Sequence, residues 1–192
     1  TSILSIIATC FFNIIRVARY PNMPSIEKSE GQLKGFIYII MEMLYKKFDI
    51  FVAQTDEMAL ELQRFYKIDK QKIRVIMNPI DKVNIERSIN DAKDPFINDK
   101  INVVASGRMH FQKGFDVLIE SFAKVVEKRN DFHLHIIGRD VDGNLEKFQK
   151  RVAELGISEN VTFHGYQKNP YPFYKFCDLF VLSSRWEGLP NV

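Results

Sequence analysis

Residues Ile101-Asn102-Val103-Val104-Ala105-Ser106 form a short, apolar, β-branched run, and eight residues further on the apolar positions change period. A near-continuous run of this kind suits a parallel strand buried on both faces. From Phe115 onward, Phe115, Leu118, Phe122, Val125 and Val126 recur at helical spacing, with Asp116 in the first turn, where the helix dipole favours a carboxylate. A strand becomes a helix across one loop, Gly107-Arg108-Met109-His110-Phe111-Gln112-Lys113-Gly114, and that βα unit commits the chain to an α/β architecture. The loop sets Arg108 and Lys113 between glycines, so it is electropositive, open to close approach and aimed at by a helix N-terminus, where doubly wound folds hold phosphate. Taken alone, the same residues serve equally well as a solvated turn.

The alternation repeats along the chain. Strands are expected at 14–19, 49–53, 73–76, 101–106, 132–137, 161–163 and 179–182. Helices are expected at 1–12, 32–47, from the N-cap Thr55 to Tyr66, at 115–128, at 144–155 with Gly156 as its C-terminal glycine, and near Phe173. Residues 82–99 turn polar, with Lys, Asp, Asn and Ser dominant and Pro95 as punctuation, and read as a linker. The expected organisation is a partial amino-terminal Rossmann-like domain (1–81), a linker (82–99) and a partial carboxyl-terminal Rossmann-like domain (100–192), each a doubly wound parallel sheet. The chain begins at Thr1 and stops at Val192, where a new element seems about to open, so it reads as a fragment that is inactive by itself.

The composition narrows the function classes. In 192 residues, 27 Lys and Arg against 24 Asp and Glu leave a net charge of only +3. No basic run or aromatic-interleaved stripe argues for nucleic acid. Cys10 and Cys177 lie far apart in apolar stretches, which suits two free thiols in a reducing compartment, the cytoplasm by default. The apolar opening at 3–18 is interrupted by Asn13 and Arg16 and falls short of the roughly 20 residues of a spanning helix. His133 and His135 share a strand face with no third ligand in evidence, so packing explains them better than metal. His110 reads as a solvated loop histidine, and Asp49 and Asp178 as strand-entry residues.

Carboxyl ends of successive strands should share one sheet edge, which gathers Gly107-Arg108, Gly138-Arg139-Asp140, His164-Gly165-Tyr166 and Ser183-Ser184-Arg185-Trp186-Glu187-Gly188. The stretch Glu187-Gly188-Leu189-Pro190-Asn191 is expected to open a helix. On the amino-terminal side, Pro21 and Pro24 break the chain after the strand at 14–19, which places Arg19 and Asn22 at that domain's strand ends.

Taken in order, Ser106-Gly107-Arg108, Gln112-Lys113-Gly114-Phe115-Asp116, Ile137-Gly138, Val161-Thr162-Phe163-His164-Gly165, Asp178-Leu179-Phe180-Val181-Leu182-Ser183-Ser184-Arg185 and Glu187-Gly188-Leu189-Pro190-Asn191-Val192 resemble the GT4 glycosyltransferases of the GT-B fold. Asn78-Pro79-Ile80-Asp81 is similar to the sequence that ends the amino-terminal domain in that family. The resemblance implies that Arg108 and Lys113 hold a donor diphosphate, with Gly107 and Gly138 beside it and Tyr166 and Gln167 in the loop that meets the nucleobase. It implies that Glu187 lies beside the donor sugar, with Gly188 and Leu189 against sugar and phosphates, and that Arg19 and Asn22 face the acceptor. No metal and no cofactor is implied, because the cationic pair stands in for a metal. The second glutamate of the family's carboxylate motif would fall three positions past Val192.

The activity implied is retaining transfer of a hexose from a nucleotide-sugar, a UDP-sugar ahead of a GDP-sugar, to a saccharide or lipid-linked acceptor in surface polysaccharide biosynthesis. The partners are then that donor and that acceptor, and the place of work is the cytoplasm at the inner membrane face. Two other readings share the scaffold: a non-catalytic nucleotide-sugar or phosphate-binding module, and a GT-B phosphorylase, which lacks support because no lysine motif for pyridoxal phosphate is seen.

Overall fold

The computed structural model describes residues 6, 8–9, 11–20, 23–29, 43–96 and 99–192. The chain divides into two compact units: Thr1–Ile80 with Trp186–Asn191, and Asp81–Arg185 with Val192. The expected boundary falls between Asp81 and Lys82, one residue away, but the polar stretch after it does not stay irregular. Lys82–Asn90 is a helix, capped by Asp81, whose carboxylate accepts from the Asn84 amide at 3.0 Å, and it belongs to the second unit. It buries no residue of its own, which is why it reads as linker from composition. Instead it offers carbonyls: Ser88 accepts from the Asn169 amide group and Ile89 from the Lys175 ammonium.

The first unit contains β1 (Val17–Arg19), α1 (Pro24–Ser29), β2 (Ile50–Ala53), α2 (Asp56–Tyr66) and β3 (Ile73–Val75), its strands parallel in the order β1-β2-β3. β1 starts three residues later than its apolar run suggested. Of the helix expected at 32–47, residues 32–42 lie outside the described residues; 43–45 are helical and 46–47 form a turn. Thr55 caps α2 by accepting from the Met58 amide, and Met58, Ala59, Leu62 and Tyr66 bury one face of that helix against Phe51 and Ala53.

The second unit follows α3 (Lys82–Asn90) with β4 (Ile101–Ser106), α4 (Phe115–Val126), β5 (Phe132–Ile137), α5 (Asn144–Glu154), β6 (Val161–Gly165), α6 (Tyr171–Phe176) and β7 (Leu179–Phe180). The parallel strands run β6-β5-β4-β7. The chain therefore moves outward from β4 to β6 and returns to the far side of β4, and this reversal makes β4 the switch point of the sheet. One sheet face, with Val103, Ala105, Leu134 and Ile136, packs on Phe115, Leu118, Ile119 and Phe122 of α4 and Val152 of α5. On the other face Val104 and Ile137 meet Phe96 and Phe173.

Asp49 and Asp178 act as their strand-entry reading anticipates, and in the same way in both units. Asp49 accepts from the Arg16 amide at 2.7 Å and donates its own amide to the Arg16 carbonyl; Asp178 forms the same reciprocal pair with Asn102.

The histidines lie on the face that carries Val104 and Ile137. Asn102 donates its side-chain amide to the Lys100 carbonyl, so its oxygen faces His135 and must accept from His135 Nε2 at 3.0 Å. His135 Nδ1 then accepts from His164 Nε2 at 2.9 Å, while His133 bonds Thr162. Burial pushes His135 down to about 3, with the neighbouring His133 and His164 adding to it, and burial also lowers both of those. These rings are neutral when folded and protonate below about 6.5 when unfolded, so the unfolded state binds more protons and stability is lost as pH falls from 6.5 toward 3. For His135 the slope in that window is at most about 1.4 kcal/mol per pH unit, and His133 and His164 add to it in the same direction. Denaturant titrations of the intact protein between pH 7.5 and 5 should show a falling unfolding free energy, and a flat profile would contradict a neutral cluster.

Candidate functional site

At the carboxyl ends of β4, β5 and β6 lies a cavity of about 520 Å³, whose lining includes Ser106-Gly107-Arg108, Ile137-Gly138-Arg139 and Tyr166-Gln167. Five of the residues expected from the sequence thus meet around one space: Gly107, Arg108, Gly138, Tyr166 and Gln167. Two of its lining residues, Gly107 and Gly138, are glycines. The ladder continues past the strands, with the Gly107 amide donating to Ile137 and the Gly138 amide to Gly165, both at 2.9 Å. Gly138 has φ 156°, and a β-carbon there would lie 1.6 Å from the Gly107 oxygen. Only glycine permits this approach of the two loops. Gly138→Ala should therefore destabilise the intact protein by on the order of 2–4 kcal/mol, read as a shifted urea midpoint; an unchanged midpoint would show that the loops are not packed this way.

Lys113 sits at the end of a 3-10 turn, Phe111–Lys113. Its aliphatic stem lies over Gly107, where a β-carbon would come within 2.9 Å of it. That turn begins with His110, whose Nδ1 accepts from the Gln112 amide at 3.2 Å, so this histidine is a cap rather than a merely solvated side chain. Arg108 is exposed at the cavity rim, and its guanidinium has no hydrogen-bond or ion-pair partner among the described residues.

The helix starts at this edge are not open. Asp140 accepts from the first amides of α5, Asn144 at 2.9 Å and Leu145 at 3.3 Å. Asp116 is held below the usual carboxylate range, first by its hydrogen bond and ion pair to Arg185, then by the amides of Val117 and its own residue. The start of α4, expected to aim at phosphate, thus carries its own carboxylate, which competes for the same donors. With these helix starts occupied, the positive charge in the cavity lining comes from side chains. A second cation, Arg139, lines the cavity together with Arg108 and stacks on the exposed Tyr166 ring at 4.8 Å, whereas Lys113 is not in the lining. Sequence reading placed it at a strand end without making it a site residue; its position directly after Gly138 was the available signal. Gln167 spends its amide group on the His164 carbonyl at 2.8 Å.

Glu187, Gly188 and Leu189 group with the first unit. Leu189 donates its amide to Gln54 Oε1 at 3.1 Å, and its carbonyl accepts from Asn78, which also bonds Asn191 at 2.6 Å. No helix opens after Glu187 within the chain. Pro190 has no amide hydrogen and biases Leu189 toward extended backbone, and the Leu189 amide is already used by Gln54. Arg19, expected to face an acceptor, donates to Asn78 Oδ1 at 2.7 Å and so braces the segment's anchor. Asn22 lies outside the described residues. Among the described residues no group of three or more His, Cys, Asp or Glu side chains is placed to hold a metal ion, and no helix is long and apolar enough to cross a membrane.

Comparison with known proteins adds the lineage. The chain is 33% identical over 175 residues to an uncharacterized glycosyltransferase of Methanocaldococcus jannaschii, covering 88% of this chain and 42% of that protein. It is 26% identical over 194 residues to the N-acetylgalactosamine-N,N'-diacetylbacillosaminyl-diphospho-undecaprenol 4-alpha-N-acetylgalactosaminyltransferase of Campylobacter jejuni, covering 98% of this chain and 50% of that one. The chain thus spans about half the length of these curated relatives. The crystal structure of Anabaena HepE in complex with UDP and glucose superposes with a TM-score of 0.74 at 16% identity, covering 95% of this chain and 50% of HepE, and the shared fold is the GT-B α/β type. The model of the family described as glycosyl transferases group 1 matches residues 86–192, more than half of the chain, and the chain belongs to that family.

Proposed function

We propose that the intact protein is a retaining glycosyltransferase that moves a hexose from a nucleotide-sugar, a UDP-sugar ahead of a GDP-sugar, to a saccharide or lipid-linked acceptor in surface polysaccharide biosynthesis. The observation that carries this reading is the cavity at the ends of β4 to β6, lined by Gly107 and Gly138, with Arg108 at its rim unpartnered among the described residues. The diphospho-undecaprenol in the name of the Campylobacter relative supports a lipid-linked acceptor, and the UDP in the HepE complex supports a uridine donor.

In this reading the base lies against Tyr166 and Gln167, and the diphosphate reaches Arg108 and Lys113. When the bond from the anomeric carbon to the diphosphate oxygen breaks, charge develops on the departing phosphate, and the two cations neutralise it without a metal. The acceptor hydroxyl attacks the face the leaving group vacates and passes its proton to the departing diphosphate oxygen, so the new bond forms on the side where the old one broke and configuration is retained. Glu187 faces the sugar, where an anion stabilises positive charge near the anomeric carbon without repelling the diphosphate. The work takes place in the cytoplasm, peripherally at the inner membrane face where lipid-linked acceptors reside. A binding screen of the intact protein against UDP- and GDP-sugars, followed by anomeric analysis of the product, tests this. Binding without turnover on any acceptor would leave a nucleotide-sugar-binding module; an inverted product would overturn the retaining mechanism.

A further inference from the structure

Three consecutive carbonyls of the turn that carries Lys113 are taken by one distant segment. The Phe111 carbonyl accepts from Arg185 Nη1 at 2.6 Å, the Gln112 carbonyl from the Arg185 amide at 2.7 Å, and the Lys113 carbonyl from the Ser183 hydroxyl at 2.8 Å. The Arg185 guanidinium lies 3.9 Å from the Phe111 ring centre and forks onto Asp116 at 2.9 and 2.6 Å. The backbone is close enough here that a β-carbon on Gly114 would stand 2.2 Å from the Ser183 oxygen. A 3-10 turn has poorer internal hydrogen bonds than an α-helix and does not hold a side chain in place by itself.

We propose that Arg185 is a positioning residue. Its charge is spent on Asp116 and its fork on the turn, so it does not take the ligand's phosphate. It fixes the Phe111–Lys113 backbone so that the Lys113 stem is held over Gly107, at the edge of the cavity, with little backbone left to order on binding. Arginine suits the task because its planar fork serves a carbonyl and a carboxylate together, which lysine cannot do. This inference rests on the reading of Lys113 as a phosphate ligand.

The test is calorimetric titration of UDP and of uridine into the intact wild type, Lys113→Ala, Arg185→Ala, Arg185→Lys and the Lys113→Ala/Arg185→Ala double variant. Arg185→Ala should weaken UDP binding by about 10-fold or more, change uridine binding by less than about 2-fold, and add nothing once Lys113 is gone. Arg185→Lys should fall between the wild type and Arg185→Ala. Additive losses in the double variant, or wild-type UDP affinity in Arg185→Ala, would overturn the inference while leaving the phosphate reading intact. If Lys113→Ala itself kept its UDP affinity, or the wild type bound neither UDP nor GDP, the phosphate reading would fall and this inference with it. Should Arg185→Ala not fold, Asp116→Asn, which breaks the ion pair and leaves the backbone bonds, must give the same split between UDP and uridine; equal losses for both would overturn the inference.

Discussion

Lys113→Ala or Arg108→Ala, made in the intact protein, should each weaken UDP binding by about 10- to 100-fold and lower sugar transfer by on the order of 10²–10³-fold. A charge-assisted contact to phosphate at a partly buried site contributes about 1.5–3 kcal/mol to binding. It contributes more to the reaction, because the diphosphate gains charge as the sugar leaves. Both residues come from the one loop between β4 and α4, at the switch point of the sheet. The loss should fall on the phosphates: uridine affinity should be unaffected. The α4 start does not compensate, since Asp116 already occupies it. Wild-type UDP affinity together with a wild-type rate in Lys113→Ala would remove the cation pair from the account.

Glu187→Gln should behave in the opposite sense, with transfer slowed by about 100-fold or more and UDP affinity changed by less than about 3-fold. Glutamine keeps the shape and the hydrogen-bonding reach of the side chain but not its charge, so a contact that matters only as positive charge develops at the anomeric carbon is lost in the rate and not in binding of the product nucleotide. The segment bearing Glu187 is fixed by Gln54 and Asn78 through Leu189 and Asn191, contacts that the substitution does not touch. A normal transfer rate in Glu187→Gln would return this residue to the class of ordinary surface acids, with nucleotide binding alone remaining.

How much of this was legible in the sequence depended on what kind of signal each part left. The βα unit at Ile101–Ser106 and Phe115–Val126 was plain because burial dictates apolar periodicity, and the strand and the helix have different periods. α3 was hidden for the converse reason: it buries no residue, and what holds it is the Asp81 cap and carbonyls given to Asn169 and Lys175. The glycines of the cavity lining could be placed at strand ends, but the approach of Gly138 to the Gly107 carbonyl is a tertiary fact that no local pattern carries. Arg185 was read only as part of a motif, because its partners Phe111, Gln112 and Asp116 are some seventy positions away, with 69 separating it from Asp116. Arg19 was placed at a strand end, yet its bond to Asn78 turns it from an open ligand into a brace. The family resemblance found residue types in order; what each side chain is already bonded to had to come from the fold.

The measurement that bears most directly on the central claim is a crystal structure of the intact protein with UDP bound. The account predicts the diphosphate within hydrogen-bonding distance of Arg108 and Lys113, over the Gly107 and Gly138 backbone, with the base against Tyr166. A nucleotide seated elsewhere, or a diphosphate turned to solvent with both cations unengaged, would contradict it.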